Sequence, residues 1–366
     1  MEDEKLYQVA LELVPGIGSV HSKNLISYCG SAKAVFEAKK PHLLKIPGIG
    51  GKVINALKSQ SVLTESEQIL KKCEKSNIQI SYYTDSAYPN RLKQIADCPN
   101  ILYLKGEGTL NPDRTIAIVG TRNATPYGKE VTENIAIACG TLKATIVSGL
   151  AYGIDIHAHR AGLAADVPNI AVLAGGLNKI YPSVHKKTAE NILEKGLLIS
   201  ENAPDVQAEA HFFPARNRII AGISDATIVV EAAIKGGALI TANIADSYDK
   251  PVFAVPGDLE HKYSEGCNYL IRNQKAYIYT GPEDIIYHLN WDLESSAPKK
   301  QKRNFDHLSE EERRVCEVLA ANEAGIAIDD IAWKSQITIN RAASVLIILE
   351  FQGAVKSLPG KRYQLI

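Results

Sequence analysis

Between Arg114 and Leu289, short aliphatic runs alternate with helical stretches, and that alternation leaves the chain few architectures to choose from. The runs are Thr115–Val119, Thr145–Ser148, Asn169–Leu173, Leu197–Ser200, Ala226–Val230, Val252–Val255 and Ala276–Tyr279. Most are unbroken by charge, as expected of strands buried on both faces rather than of a half-solvated sheet. Strand–helix–strand repetition joins neighbouring strands in parallel through crossover helices. The expected fold class is α/β, a doubly wound, mostly parallel, Rossmann-like sheet. In such sheets ligands collect beyond the carboxyl ends of the strands, where strand order reverses.

The residues just after the strands carry the chemistry. After the first run come Gly120, Thr121 and Arg122, and after the second Ser148, Gly149 and, further on, Asp155. Asp155 is expected to cap the helix that follows. The third run leads to Gly175-Gly176 and then Lys179, Tyr181 and His185–Lys187, and the fourth leads to Glu201. The fifth is followed by Glu231, Lys235, Gly236 and Gly237, and the sixth by Pro256-Gly257-Asp258. Glycines let backbone N–H groups approach an anion closely, so this rim of glycines and cations reads as a phosphate site.

The densest cluster is FFPARNRIIAGIS, Phe212 to Ser224. Pro214 suits the first turn of a helix, where a missing N–H costs nothing. Arg216, Asn217 and Arg218 then lie beside free N–H groups, which offers an anion two guanidiniums and a helix start. Ile219, Ile220 and Ile223 anchor the helix to a core. Glu231 is expected to pair with Arg216 or Arg218. His157 and His159, two apart on a helix, face different directions and do not form a metal pair. The six cysteines include no C-x-x-C pair, which argues against zinc and for reduced thiols. No G-x-G-x-x-G follows a strand, and Gly128-Lys129 is followed by Glu130 rather than Ser or Thr. No dinucleotide cofactor, P-loop or metal is therefore expected. The N-terminus lacks an apolar leader core and no run of 18 apolar residues occurs, so a cytoplasmic protein that makes no use of a membrane is expected.

Residues 1–62 repeat one turn: Val14-Pro15-Gly16-Ile17-Gly18 returns as Ile46-Pro47-Gly48-Ile49-Gly50, 32 residues later. The pattern resembles the helix-hairpin-helix pair of sterile-alpha-motif-like DNA-binding modules. Eight lysines against five acids make this module mildly basic, 8 − 5 = +3. The intended divisions are 1–62, then the sheet domain 63–290, a basic linker 291–304 and a helical module 305–366. In the last, Ser309 and Glu312 form a capping box, helices are expected near Ile328–Trp333 and Asn340–Phe351, and Gly353–Ser357 pairs with Tyr363–Ile366 around Pro359-Gly360. This arrangement resembles a winged helix. Seven cations against nine acids give it 7 − 9 = −2, and Arg341 is the one cation of its third helix, so it reads as a packing or protein-contact module.

Whole-chain charge is neutral, with 41 Lys and Arg against 41 Asp and Glu, so any nucleic-acid affinity is local. The runs IAIVGTRNATPYG, VSGLAYGIDIHAHRAGL, AGGLNKIYPSVHKK, GLLISENAP, FFPARNRIIAGISDATIVVEA, GGALITANIA and VFAVPGD resemble, in order, the DNA-processing protein A (DprA, or Smf) family. The resemblance implies a non-catalytic single-stranded DNA-binding protein of natural transformation that protects incoming strands. It also implies a homodimer and the RecA recombinase as partner, loaded for recombination. It gives Arg122, Arg216 and Arg218 to phosphates and Phe213 to base stacking. Two readings compete: a nucleotide (phosphoribo)hydrolase on a related fold, and an adaptor with a vestigial pocket. The hydrolase signature PGGxGTxxE meets Lys235-Gly236-Gly237-Ala238-Leu239-Ile240-Thr241, which lacks the general-base carboxylate.

Overall fold

In the computed structural model the seven aliphatic runs all become strands of one sheet. The structure describes residues 2–291 and, further on, 308–320, 322, 325–352, 354–358 and 362–365. The chain opens with α1 (Glu2–Leu13), α2 (Ser19–Cys29), α3 (Ala32–Glu37), α4 (Lys40–Leu43) and α5 (Gly51–Leu57), then the longer α6 (Gln60–Lys75). Strands β1 (Gln79–Tyr82) and β2 (Ile101–Lys105) flank the one-turn α7 (Asn90–Lys93). The alternating region runs β3 (Thr115–Val119), α8 (Pro126–Thr141), β4 (Thr145–Ser148), α9 (Ile154–Ala164), β5 (Asn169–Val172), α10 (Lys186–Ile192) and β6 (Leu197–Ser200). It continues with α11 (Phe212–Ile223), β7 (Ala226–Val229), α12 (Gly237–Ser247), β8 (Val252–Ala254), α13 (Glu265–Arg272), β9 (Tyr277–Ile278) and α14 (Pro282–Leu289).

The strand order is β1-β2-β6-β5-β4-β3-β7-β8-β9. Strands β3 to β9 pair in parallel, while β2 joins β6, and β1 joins β2, in antiparallel fashion. Winding proceeds outward from β3 on one side and restarts at β7 on the other, so the order reverses between them. Side chains alternate across the sheet. Ile116 and Ile118 pack with Ile135 of α8 and Ala158 of α9, while Ala117 and Val119 pack with Ile219 of α11 and Ala242 of α12. The layers therefore place α9 and α11 on opposite faces, and both begin near the carboxyl ends of the strands.

The repeated turns are two hairpins in reciprocal contact. Gly16 (φ +86°) and Gly48 (φ +82°) adopt the positive φ that glycine tolerates without strain. A methyl group on Gly16 would meet Val53 Cγ2 at 3.4 Å, and one on Gly48 would press on His21 Nε2 at 2.7 Å. His21 and Val53 occupy equivalent places, so each turn seats on the helix that follows the other. Val14, Ile17, Ile46 and Ile49 are all buried behind these turns.

The intended boundary at residue 62 falls inside α6, whose Val62, Ile69 and Cys73 are buried. One apolar core runs from Val9 through Ile69 to Tyr103 and Leu198, joining the hairpins to the sheet. Glu12 of α1 adds a polar tie, accepting from Ser22 Oγ at 3.0 Å and from Asn100 Nδ2 at 2.9 Å. Burial pushes the Glu12 carboxyl above its usual range, against these bonds. Residues 1–293 and 294–366 form separate compact units.

The second unit contains α15 (Glu310–Ala320), β10 (Ile326–Ala327), α16 (Ile328–Ser335), α17 (Ile339–Phe351), β11 (Val355–Leu358) and β12 (Arg362–Leu365). Ser309 N–H donates to Glu312 at 2.8 Å and Glu312 N–H to Ser309 Oγ at 3.4 Å, the capping box read from sequence. Strands β11 and β12 pair antiparallel and β10 joins β12, giving the winged-helix order. The expected linker, apart from Trp291, and the expected Pro359-Gly360 turn lie outside the described residues.

Candidate functional site

Beyond the carboxyl ends of β4 and β5 sits a buried arginine with few partners. The Arg216 side chain projects from α11 under the loop after β4, and the residue is only 5% exposed. Its Nη1 donates to Val172 O at 2.8 Å, while Nε has no partner. Among the described residues no carboxylate forms an ion pair with it. Gly149 lies directly above: a methyl group there would overlap the guanidinium, so this position needs glycine because the arginine occupies its space. Asp155, on the opposite layer, is equally buried and supplies the nearest compensating charge. Burial raises the Asp155 carboxyl and lowers the Arg216 guanidinium, and each charge opposes the other's shift. The expected cap on α9 is not what Asp155 makes. Its Oδ2 instead accepts Gly149 N–H at 3.2 Å, tying the glycine loop down.

Arg218 belongs to a different neighbourhood. Two residues on a helix point about 200° apart, so Arg216 and Arg218 cannot share one pocket. Arg218 donates to Glu201 at 2.5 Å and to Asp97 O at 2.7 Å, an ion pair in which burial pushes Glu201 upward and the arginine pulls it down. The expectation that both arginines face one anion is corrected by this helical geometry. Glu231 pairs with neither: it accepts Thr125 N–H at 3.0 Å and Thr125 Oγ1–H at 2.5 Å, anchoring the start of α8 at the point where strand order reverses.

Several expected phosphate ligands are fully used in holding the backbone. Ser148 is buried and donates to Ile118 O at 2.6 Å. Thr121 N–H donates to Glu231 O at 2.6 Å, and Gly120 packs so closely on Ile154 that a methyl group has no room. Gly236 N–H donates to Ala233 O at 2.8 Å, Gly237 opens α12 into free space, and Lys235 is exposed. Asn217 is half-buried. His159 is sealed beneath the site with Nδ1 on Asn169 Oδ1 at 2.9 Å, and desolvation lowers it to about 4. His157, on the same helix, is half-buried.

The open part of the rim is cationic and aromatic. The exposed Arg122 lies with its guanidinium over the Phe213 ring, 5.2 Å from the centroid. Tyr181 meets the same ring edge-on at 5.9 Å, and Tyr152 meets His185 edge-on at 5.0 Å. His185 in turn holds Leu150 O through Nδ1 at 2.7 Å, which binds the two loops together. Lys179 is exposed on the loop that carries Tyr181, and Lys186 and Lys187 are exposed at the start of α10. Sequence alone gave the tyrosines no role, although Tyr181 lies between Lys179 and Lys186. Among the described residues no cluster of three or more His, Cys, Asp or Glu is placed to hold a metal.

The family model described as DNA recombination-mediator protein A matches residues 79–290, well over half of the chain. The chain belongs to the DprA/Smf family. The model described as the DprA winged helix domain matches residues 299–361. Protein Smf of Synechocystis is 32% identical over 99% of this chain and 98% of its own length. The DNA processing protein DprA of Bacillus subtilis is 42% identical over 55% of this chain and 68% of its own. The structure of DprA from Streptococcus pneumoniae, 28% identical, covers 78% of this chain and 98% of itself with a TM-score of 0.62. The Helicobacter pylori DprA structure, concerned with single-stranded DNA binding, is 33% identical and covers 58% and 96% with a TM-score of 0.52. No helix among the described residues is long and apolar enough to cross a membrane.

Proposed function

We propose that the rim is a single-stranded DNA site that works by electrostatic capture and stacking, without bond-making. The observation that carries this is Arg216. A buried guanidinium with an unpartnered Nε, and with no ion pair among the described residues, keeps a positive potential under the Gly149 loop that surface salt does not cancel. Above it, Arg122 and Lys179 meet phosphates, and Phe213 offers a ring to a base. Gly149 gives the guanidinium room against the loop backbone, and Gly237 leaves the start of α12 open to a strand. Arg218 stabilises α11 from the other side.

A flexible strand bends its phosphates into such a concavity, whereas a duplex resists deformation, so single strands are preferred. The family membership supports the wider role: protection of incoming DNA during transformation, and delivery of the strand to a RecA-type recombinase by a homodimer in the cytoplasm. The hydrolase alternative is weakened because Glu231, the carboxylate nearest the glycine turn in sequence, is committed to Thr125. The acidic winged helix serves packing or protein contact.

Fluorescence anisotropy with oligo-dT and with duplex, each over a salt series, tests the reading. Tight, salt-steep binding of the single strand that is lost in the Arg122→Ala/Arg216→Ala double variant supports it. Binding that survives the double variant, or that favours duplex, removes the site from the rim.

A further inference from the structure

Arg122 and Phe213 account for one phosphate and one base, yet the aromatic surface continues beyond them. Tyr181 is 51% exposed beside Phe213, and Tyr152 is 46% exposed beside His185. What sets these two apart from the other exposed rings is their place beside the cations of the rim, each against a second ring. Both tyrosines are held by neighbours rather than free to swing. Tyr181 leans on Phe213 at 5.9 Å, and Tyr152 on His185 at 5.0 Å, with His185 fixed to Leu150 O. Arg122, Phe213 and Tyr181 form one series of ring contacts, and Tyr152 and His185 form a second pair where the loops after β4 and β5 meet. Lys179 precedes Tyr181, and Lys186 and Lys187 follow His185, all exposed. Cations alternating with rings are what a strand needs: charge for each phosphate, a π-face for each base.

We infer that Tyr181 and Tyr152 are further base-stacking platforms in series with Phe213, so that the ligand is a run of several unpaired bases rather than a mononucleotide. The inference rests on the single-stranded DNA reading of the same rim. It adds that affinity grows with strand length until the platforms are filled. It also adds that the rings contact bases while Arg122 and Lys179 contact the backbone. Rings stack on any base, so the preference among bases stays small.

The test uses the full-length protein and two probes, oligo-dT and an abasic strand of equal length and charge. Tyr181→Leu is expected to weaken oligo-dT binding by about tenfold and to leave the abasic strand unchanged, with Tyr152→Leu acting likewise. Tyr181→Phe, which keeps the ring and drops the hydroxyl, is expected to bind like the wild type. It preserves the packing on Phe213, so it keeps the test sound if Tyr181→Leu folds poorly. Unchanged oligo-dT binding by Tyr181→Leu overturns the inference, as does equal loss on both probes. A wild type that binds thymidine monophosphate as tightly as the oligonucleotide also overturns it. If the underlying site reading itself fails, the signature differs: Arg122→Ala then leaves both probes bound.

Discussion

Two helices of this chain carry an arginine, and they use it in opposite ways. In α11, Arg216 is sealed under a glycine loop with one backbone carbonyl and no ion pair. In α17, Arg341 projects into solvent and is neutralised by Glu311 at 2.6 Å. The outer surface of α17 and its neighbour α16 mixes charged residues such as Asp329, Lys334 and Glu350 with the largely exposed Trp333, Ile347 and Phe351. Counting charges gives α11 Arg216 and Arg218 with no acid, and α17 Arg341 offset by Glu350, but it does not show which arginine is buried. Their difference lies in dielectric and compensation: a buried, under-compensated cation projects a field, whereas an exposed, paired one hardly does.

The largest effect separating them is expected from Arg216→Ala. It strips the buried Asp155 of its compensating charge and should cost about 3–5 kcal/mol in chemical denaturation, together with the loss of strand binding. A cost below about 1 kcal/mol would show that the buried Asp155 does not depend on the Arg216 charge, and the contrast with α17 would be false.

Next comes a pH effect under the same site. His159 has its folded value lowered from 6.5 to about 4 by burial. In the unfolded chain it takes up a proton first, so the stability it contributes is complete above pH 6.5 and lost as pH falls towards 4. The expected loss is about 3 kcal/mol, read as a falling urea midpoint of the sheet unit. A His159→Asn variant whose midpoint falls as steeply over that window would assign the loss elsewhere.

Arg218→Ala should sharpen the division within α11 itself. Removing the Glu201 partner is expected to destabilise by about 1–3 kcal/mol through unpaired, partly buried acceptors, with oligo-dT affinity kept within about threefold. Affinity falling as far as in Arg216→Ala would return Arg218 to the site. The smallest change is Arg341→Ala, expected to cost under about 1 kcal/mol and to leave both single-strand and duplex affinity unchanged. A tenfold loss of duplex binding would make the winged helix a DNA reader after all.

Strands and layers were legible because buried parallel strands write themselves as unbroken aliphatic runs. Thr115–Val119 and Leu197–Ser200 were placed to the residue. The capping box at Ser309 was legible because it is purely local. The division of labour between Arg216 and Arg218 was also present, in helical periodicity, but a first-turn cluster read as a unit hid it. Partners of Asp155 and Glu231 were not legible. Glu231 satisfies Thr125 across the β3–β7 pairing, which no local pattern encodes, and Asp155 turns back to Gly149 in its own loop instead of capping α9. The extent of α6 across residue 62 was missed because the glycine repeat drew a boundary where the core has none.

The antiparallel pairing of β2 with β6 matters for a chain leaving the ribosome. Tyr103 lies opposite Ser200, so β2 waits for about a hundred residues of further synthesis before its partner exists. At elongation speeds of about 5–20 residues per second this is an interval of about 5–20 seconds. Of the two strands that flank β2, only β1 is already made in that interval. The core that buries Tyr103 with Val9 and Ile69 draws much of its apolar surface from segments made before the strand that closes this edge.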